Sequence, residues 1–525
     1  PANCHEVRRR ARVASSYGTF LIEVLGPKRT AQTGQISDFI VKTAFQDLPP
    51  GIDPFLVEPE YHAVLQCPEG IISQAVLKST AREGDGSLLS KFQVSPGQRG
   101  NHTLYIYLQF ADVSDTLTVS REVPDFIHAV AQRYSDGFTK TTEPTLVVPF
   151  FVNEGNFDYV EKRPCTGFLL SSWGFWKQVG TLRHGVFTAS GKEAGTYLFT
   201  PTECLLPAYP PSQYLKDIPS NHAVLFLGDS TSRSAALLVL DLLLGLSPTR
   251  PSNHLTLYEH EFCKKSTVAP EKPCDFDMPE GVTFHVPLKD DAPQRRHMCR
   301  VLKNEPWCLK HRSMYGAYLS ANIHVHNNEK FKPLMVHATF TWHFSSGKKK
   351  TAVFTYAYVT KSKHPIGAIL ANVTQALGRK YDRVVYSTAL HDLSDTSLEG
   401  FERNLVLRGD ELASYGAKVL VFTSSAQNAH AKRKWVHNNM RGYWVFGCPD
   451  KRSRAFNKKL VSTLASRIPD MHHMDLYDMT NPLKDEECYD GLHFHPGVNA
   501  WTTVMLMYNI NVIDRSVLES SNCIA

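Results

Sequence analysis

A serine, an aspartate and a histidine stand in two short motifs that are far apart in the chain. The first motif is Gly228-Asp229-Ser230, and the second is the D-x-x-H pair Asp490 and His493. A serine hydroxyl becomes a nucleophile when an imidazole takes its proton, and an acidic group on the other ring nitrogen fixes the tautomer of that imidazole. These residues therefore predict acyl transfer, with Ser230 as nucleophile, His493 as base and Asp490 as the group that orients it.

The segment around Ser230 predicts the elements that position it. The apolar run at residues 223–227 is typical of a buried strand, and the leucine-rich pattern after Ser230 is typical of a helix. A strand, a tight turn and a helix place Ser230 at the carboxyl edge of a sheet, where α/β folds keep their sites. The helix N-terminus there favours developing negative charge. The alternative is that Ser230 caps the helix and does nothing else.

Further candidates follow the predicted strand at residues 384–390. His391 and Asp392 should emerge at the same sheet edge as Ser230. We predict that the His391 imidazole and the Ser230 backbone N–H stabilise an oxyanion; the alternative for His391 is a loop histidine bonded to backbone. Arg233 and Asp392 are predicted to contact substrate, although Arg233 fits the holding of the turn equally well.

Some assignments stay open at this point. The second backbone donor to the oxyanion is Gly316 or Gly347, and the sequence does not choose between them. His495, two residues after His493, is the rival base. The H-x-H pairs that contain these histidines and His324 invite a metal, but no Asp or Cys ligand set accompanies them, and we predict no metal site.

Further motifs, taken in chain order, extend the pattern on both sides of these residues. They are the Cys-x-Gly…Trp segment at residues 165–173, the aromatic lead-in and Cys204-Leu205-Leu206-Pro207, the Gly228-Asp229-Ser230-Thr231-Ser232-Arg233 turn, and residues 490–501 with an aromatic, a Pro-Gly-Val and a Trp after the D-x-x-H pair. Together they resemble the PC-esterase family of SGNH/GDSL-type hydrolases, which includes plant trichome-birefringence-like proteins. The GDST-x-R form and a β-rich N-terminal region are similar to animal cadherin-like and PC-esterase domain-containing proteins. The chain departs from the plant pattern where Gly491, and not Cys, follows Asp490.

The resemblance implies a fold and an activity. It implies an SGNH-hydrolase-like, three-layer αβα domain with a parallel sheet, acting as an O-acetyltransferase or acetylesterase on glycans or glycoconjugates. It also implies that no cofactor is bound and that acetyl-CoA or an acetyl ester is the candidate acyl donor. Together with eleven cysteines and the sequons at Asn101 and Asn372, it implies a secretory-pathway or secreted protein with Cys165 and Cys204 in disulfides. The alternative is a secreted adhesion or binding protein with an inactive esterase-like domain.

Element patterns divide the chain into four parts. Residues 1–16 are predicted to be a basic tail or linker, and residues 17–123 a β-sandwich of cadherin or immunoglobulin type that can bind a protein or glycan partner. Residues 124–160 are predicted to be a connector, and residues 161–525 the α/β domain. Within that domain, strands alternate with helices, which predicts a parallel sheet covered on both faces. Residues 255–328 show no clear period and are predicted to be an insertion.

Composition excludes some classes of protein. The net charge is +6, and the basic runs are not interleaved with aromatic residues, so nucleic-acid binding is not predicted. A membrane-spanning helix needs about 18 consecutive apolar residues. The longest apolar run, residues 235–246, is interrupted by Asp241, so no transmembrane segment is predicted in this chain.

Overall fold

The structure is a computed structural model, and it describes most of the predicted strands and helices. The described residues are 8–15, 18–27, 31–33, 35–48, 50, 57–96, 98–113, 144–154, 174–181, 195–201, 218–243, 282–285, 306–307, 317–327, 333–344, 347–394, 396–427, 450–488 and 492–512. Within these ranges the chain forms one all-β sheet system and one mixed sheet with helices, so the content is mixed α and β.

The first sheet system has 11 strands in the order β1-β2-β4-β7-β6-β5-β8-β9-β3, with β10 paired to β6 and β11 to β10. Inward-facing side chains from most of these strands join one apolar core, as in a β-sandwich. The strands are β1 (Arg8–Ser15), β2 (Gly18–Leu25), β3 (Ala31–Gln32), β4 (Ser37–Gln46), β5 (Val57–Gln66), β6 (Ile71–Arg82), β7 (Leu88–Val94), β8 (Gly100–Val113), β9 (Leu146–Asn153), β10 (Gly174–Thr181) and β11 (Gly195–Pro201).

The N-terminal basic run differs from its prediction as a tail, because it forms β1, antiparallel to β2. Ala11 and Val13 pack against the core. The arginines of this run are exposed, and Arg8 and Arg10 bond to Glu23 on β2, which lowers the pKa of Glu23 to about 2. The run has the period-2 alternation of a strand at residues 10–14, but its many arginines made it resemble a polar tail.

The first sheet also takes in chain that was predicted to lie outside it. Strand β9 falls within the predicted connector, and its side chains alternate strictly between buried and exposed. The β10–β11 hairpin falls within the predicted α/β domain, yet β10 pairs with β6 through Phe175, Trp176 and Lys177. The hairpin therefore belongs to the first sheet by hydrogen bonding, although it is much nearer to Ser230 in sequence.

The second sheet has 9 strands in the order β14-β13-β15-β16-β17-β12-β18-β19-β20. The strands are β12 (His222–Gly228), β13 (Val282–His285), β14 (Pro306–Trp307), β15 (Ala317–Asn327), β16 (Pro333–Phe344), β17 (Lys349–Tyr358), β18 (Arg383–Tyr386), β19 (Lys418–Phe422) and β20 (His472–Met474). The run from β17 through β12 to β20 is parallel, as predicted.

The other half of this sheet corrects the prediction of a wholly parallel sheet. Strand β16 is antiparallel to both of its neighbours, β15 and β17. Short connections join them, and a connection of a few residues can link antiparallel strands but not parallel ones. Strands β13, β14 and β15 also lie inside residues 255–328, the stretch predicted to be an insertion.

Helices cover the parallel strands. They are α1 (Ser230–Leu243), α2 (Gly367–Leu377), α3 (Leu398–Tyr415), α4 (Asp450–Arg467), α5 (Leu476–Thr480), α6 (Lys484–Glu487) and α7 (Pro496–Val512). Ala223, Leu225 and Leu227 of β12 share a core with α2, α3 and α4. Val224 and Phe226 point to the opposite face, because strand side chains alternate. Helix α1 contacts β12, β17 and α7. In the described part of the chain, no helix combines the length and the apolar character that a membrane span requires.

His222, at the amino end of β12, predicts a pH dependence of stability. It is 2% exposed, and its Nδ1 lies 3.6 Å from Asp382 Oδ2. Burial, together with Arg383 and Arg379 and against Asp382, lowers the pKa of His222 from 6.5 to about 3. The unfolded chain therefore binds a proton near pH 6 that the folded chain does not, so acid favours unfolding.

We expect His222→Gln to flatten the acid limb of the stability profile. Between pH 7 and pH 5 the wild type should lose about 2 kcal/mol of unfolding free energy that the variant retains. Urea unfolding of both proteins at the two pH values measures this difference. Equal losses would show that His222 is not the group that titrates.

Candidate active site

The turn after β12 is hydrogen-bonded to β17 and the residue after it on one side, and to the segment that follows β18 on the other. The carbonyl of Gly228 accepts from Val359 N at 2.8 Å and from Tyr356 Oη at 3.2 Å. The same hydroxyl is 3.1 Å from the carbonyl of Asp229. On the other side, Ser387 N donates to the carbonyl of Leu227 at 3.0 Å. Ser230 therefore begins its helix from a turn that β17 and the end of β18 restrain. Nothing in the sequence had pointed to Tyr356.

The helix cap at this turn is Asp229, and not Ser230. Asp229 Oδ1 accepts from Thr231 N at 2.9 Å and from Thr231 Oγ1 at 2.7 Å. The Asp229 carbonyl accepts from Arg233 N at 2.9 Å, which begins the helical ladder. Asp is at least as good an N-cap residue as Ser, so N-cap preferences alone could have identified Asp229 as the cap from the sequence. The hydroxyl of Ser230 is consequently available for another partner.

That partner is His493. Its Nε2 lies 3.0 Å from Ser230 Oγ, although 263 positions separate the two residues. His493 is 8% exposed, and Ser230 at the mouth of the turn is half-buried. The distance suits direct proton transfer from a hydroxyl to a general base. The two motifs that predicted a nucleophile and a base are thus brought into contact.

The backbone around His493 closes on itself. Cys488 and Phe494 form an isolated antiparallel bridge, and His495 N donates to the Glu487 carbonyl at 2.9 Å. The Phe494 carbonyl also accepts from Asn499 Nδ2 at 2.7 Å. The rival base, His495, is 2% exposed, and its carbonyl accepts from Asn499 N at the start of α7. We call residues 488–494 the histidine loop.

Two of the predicted site residues lie outside the described residues, namely Asp490 and Gly316. The other glycine considered as an oxyanion donor, Gly347, precedes β17. Because Gly228 pairs with Tyr358 at the far end of β17, Gly347 lies at the opposite edge of the sheet, roughly 35 Å away along an extended strand. Gly347 is therefore not a donor to an oxyanion at Ser230. Cys165 and Cys204, predicted to be in disulfides, also lie outside the described residues.

His391 emerges at the carboxyl edge of β18, next to β12, as predicted. It is 7% exposed. Two residues before it, Ala389 has φ of 105°, a backbone conformation that costs energy for any residue with a Cβ. The backbone that leads into His391 therefore forms a strained turn beside the Ser230 turn. Its role as an oxyanion donor stays a prediction.

Asp392 and Arg233, predicted to contact substrate, are both buried away from solvent. Asp392 accepts from Ser362 N at 2.9 Å, from Ser362 Oγ at 2.8 Å and from Thr388 Oγ1 at 3.1 Å, and burial raises its pKa. In this arrangement Asp392 braces two loops instead of reaching a substrate, which corrects that prediction.

Arg233 lies 2% exposed beneath the Ser230 turn. Its guanidinium carbon is 5.8 Å from the centre of the Tyr358 ring. Burial and the charge of Asp229 raise the pKa of Tyr358 to about 12, and Arg233 opposes that rise. These contacts favour the alternative in which Arg233 holds the turn.

A small pocket lies beside His493, between the start of α1 and the start of α7. Its walls combine apolar side chains with hydroxyls, and neither Arg233 nor Asp392 lines it. The lining residues are Thr231, Ser234, Ala235, Phe422, Ser425, Leu476, Thr480, Leu492, His493, Phe494, Asn499, Thr502 and Thr503. The pocket is adjacent to the base and is built mainly by the elements that position Ser230 and His493.

Gly228→Ala is expected to damage this turn. A Cβ at Gly228 would lie 2.0 Å from Ser232 Oγ and 2.5 Å from the Ser387 carbonyl oxygen, so the backbone would have to move. We expect a loss of about 3 kcal/mol in unfolding free energy. The matched control is Gly347→Ala, where nothing lies within 4 Å and the positive φ alone should cost about 1 kcal/mol. Urea unfolding measures both; equal losses would contradict the tight approach at Gly228.

Comparisons with known proteins find distant likenesses. No family model matches the chain, and no curated protein matches it significantly. A solved peptidoglycan O-acetylesterase is 9% identical, and the alignment covers 59% of this chain and 97% of that one with a TM-score of 0.26. The filamin domain of Lin-41 is 10% identical, with 28% and 99% covered and a TM-score of 0.15. TM-scores this low do not bear on the function of this chain.

Proposed function

We propose that this chain is a serine acyl-transfer enzyme whose nucleophile is Ser230 and whose base is His493. The observation that carries the proposal is the 3.0 Å contact between Ser230 Oγ and His493 Nε2. A second support is that Asp229 takes over the helix cap, which frees the hydroxyl of Ser230 from a purely structural bond. A nucleophile and a base within hydrogen-bond reach at a helix N-terminus make up the core of this chemistry.

The proposed reaction has two halves. Ser230 Oγ attacks an acyl carbonyl while its proton passes to His493 Nε2, and the carbonyl electron pair moves onto the oxygen. The Ser230 N–H and His391 are proposed to stabilise that oxyanion. When the intermediate collapses, the bond to the leaving group breaks, the leaving oxygen of an ester or the leaving sulfur of a thioester takes the proton from His493, and an acyl-serine remains. An acceptor hydroxyl then gives its proton to His493 and attacks the acyl-serine. The bond between the acyl carbon and Ser230 Oγ breaks, His493 returns the proton to Ser230 Oγ, and the acylated acceptor leaves. Asp490 is proposed to orient His493 throughout.

The acceptor decides the type of enzyme. If the acceptor is water the enzyme is an esterase, and if it is a sugar hydroxyl the enzyme is an O-acyltransferase. We propose glycan or glycoconjugate O-acetyl groups as the chemistry, with acetyl-CoA or an acetyl ester as donor. The support for this choice is the resemblance of the Ser230 and His493 motifs to PC-esterases. The same resemblance supports a proposed location in the secretory pathway or outside the cell, and a protein or glycan partner for the β-sandwich.

The test is labelling of the intact chain by an aryl phosphonate, followed by peptide mass mapping. We expect the label on Ser230 alone. A second incubation, with an activated acetyl ester and with or without sugar acceptors, is read by mass. Acetylated sugar would identify a transferase, and free acetate a hydrolase. Well-folded protein that takes no label from any donor would overturn the proposal in favour of a binding protein with an inactive esterase-like domain.

A further inference from the structure

A buried carboxylate connects the first sheet to the histidine loop. Glu487, at the end of α6, is 2% exposed. Its Oε1 accepts from Gly195 N at 3.1 Å and from Tyr197 Oη at 3.0 Å, and both donors lie on β11. These donors precede Glu487 by 292 and 290 positions. The place of Glu487 is therefore set by a strand of the other sheet.

Glu487 stands at the foot of the histidine loop. Its carbonyl accepts from His495 N at 2.9 Å, and the next residue, Cys488, bridges to Phe494. His493 is the residue directly before Phe494 and so has little freedom relative to this closure. A displacement of Glu487 would consequently move both ends of the loop that presents His493 Nε2 to Ser230.

The β10–β11 hairpin is itself anchored at a second point. Trp176 on β10 is 0% exposed, and its Nε1 donates to the Met479 carbonyl on α5 at 2.8 Å. The Trp176 ring lies 5.0 Å from the ring of Phe199 on β11, centre to centre. Ser73 Oγ on β6 donates to the Gly174 carbonyl at 3.3 Å. The hairpin is thus held by the first sheet on one side and by the elements around the histidine loop on the other.

We propose that Glu487 is a positioning residue for His493, and that Tyr197 of the all-β region holds it in place. This inference rests on the proposed function, because it assigns the β10–β11 hairpin to the apparatus of the same site. The physical reason is that proton transfer depends steeply on geometry, and a shift of about 1 Å in a catalytic group costs about a hundredfold in rate. The first sheet would then be required for catalysis and would not be an independent module.

The experiment measures the second-order rate constant for phosphonate labelling of Ser230 in the full chain. Glu487→Ala removes the acceptor for both donors, and we expect the constant to fall about a hundredfold. Tyr197→Phe removes one donor to a carboxylate and should lower it about tenfold. Glu487→Gln keeps an oxygen that can accept both bonds and should restore most of the wild-type rate. With p-nitrophenyl acetate as substrate, kcat should fall in the same order while KM stays unchanged.

The matched control is Tyr61→Phe. Tyr61 is also a buried tyrosine of the first sheet, and its hydroxyl lies 2.6 Å from Thr43 Oγ1. This variant should lower the melting temperature about as much as Tyr197→Phe while the labelling rate stays at the wild-type value. The comparison separates a general loss of stability from a loss of His493 position.

Two results would overturn the inference, and they are distinguishable. If the wild type is labelled, and Tyr197→Phe and Glu487→Ala are labelled as fast as Tyr61→Phe, Glu487 does not position His493 and the proposed function stands. If folded wild type is not labelled at all, the proposed function fails and the inference fails with it. Should Glu487→Ala not fold, Tyr197→Phe decides the question, because it removes a single oxygen atom.

Discussion

Ser230→Ala should abolish phosphonate labelling and acyl transfer and leave the fold intact. The substitution removes the atom that forms the acyl bond, so we expect the rate to drop to the background of the uncatalysed reaction, a loss of at least about 10⁵-fold. The stability cost should be small, below about 1 kcal/mol. The reason is that Thr231 bonds to Asp229, and the cap of α1 does not depend on the Ser230 hydroxyl.

Ser232→Ala is the matched control for this variant. Ser232 lies on the same helix, is fully buried, and its hydroxyl has no hydrogen-bond partner among the described residues. Its removal should leave the labelling unchanged and should not lower the stability, because a buried hydroxyl without a partner contributes no favourable bond to the fold. Labelling rates are measured by stopping the reaction at set times and mapping the labelled peptides by mass, and stability is measured by urea unfolding. Retained labelling in Ser230→Ala, on another serine, would refute the assignment of the nucleophile.

His493→Ala and His495→Ala should differ by orders of magnitude in acyl transfer. The two residues are similar in chemistry and burial, but His493 presents Nε2 to Ser230 Oγ at 3.0 Å. Without its base, Ser230 is a poor nucleophile at neutral pH, and we expect His493→Ala to lose about 10⁴-fold or more in kcat. His495→Ala should lose less than about tenfold.

The same assay on both variants, with the melting temperature as a check on folding, settles which histidine acts. A larger loss for His495→Ala would reassign the base to His495 and would imply that the histidine loop rearranges when substrate binds. Added imidazole offers a further check, because it should raise the rate of His493→Ala by filling the space of the lost ring and should leave His495→Ala unchanged.

The sequence alone determined those features that depend on neighbouring residues. The strand, turn and helix around Ser230 follow from an apolar run, a glycine and a leucine-rich period, and the structure forms them as β12 and α1. The pattern of residues 398–415 also predicts a helix, and α3 occupies the same residues. Its start is marked by Ser397, which accepts from Gly400 N, and its end by Gly416 with φ of 78°. Such caps act within one helical turn, so a local pattern contains the information.

The catalytic candidates were also readable, because chemistry restricts which residue types can serve. A nucleophilic serine is commonly paired with an imidazole, and the D-x-x-H pair offers one next to an acidic group. The D-x-x-H spacing favoured His493 but left His495 as a rival, since both lie in one short segment and either ring could have turned toward Ser230. The contact at 3.0 Å shows which ring the backbone closure turns toward the hydroxyl.

The tertiary structure alone decided the placement of groups whose partners lie far away in the chain. Asp392 is of a residue type that often binds substrate, but it is buried and bonds to Ser362 and Thr388. The basic run at Arg8–Ser15 became a strand because β2 supplied an apolar face and Glu23. Glu487 acquired its role from β11, some 290 positions earlier. Pairings at that separation depend on how whole sheets pack, and burial and hydrogen bonding across the fold outweigh the preference that each residue shows on its own.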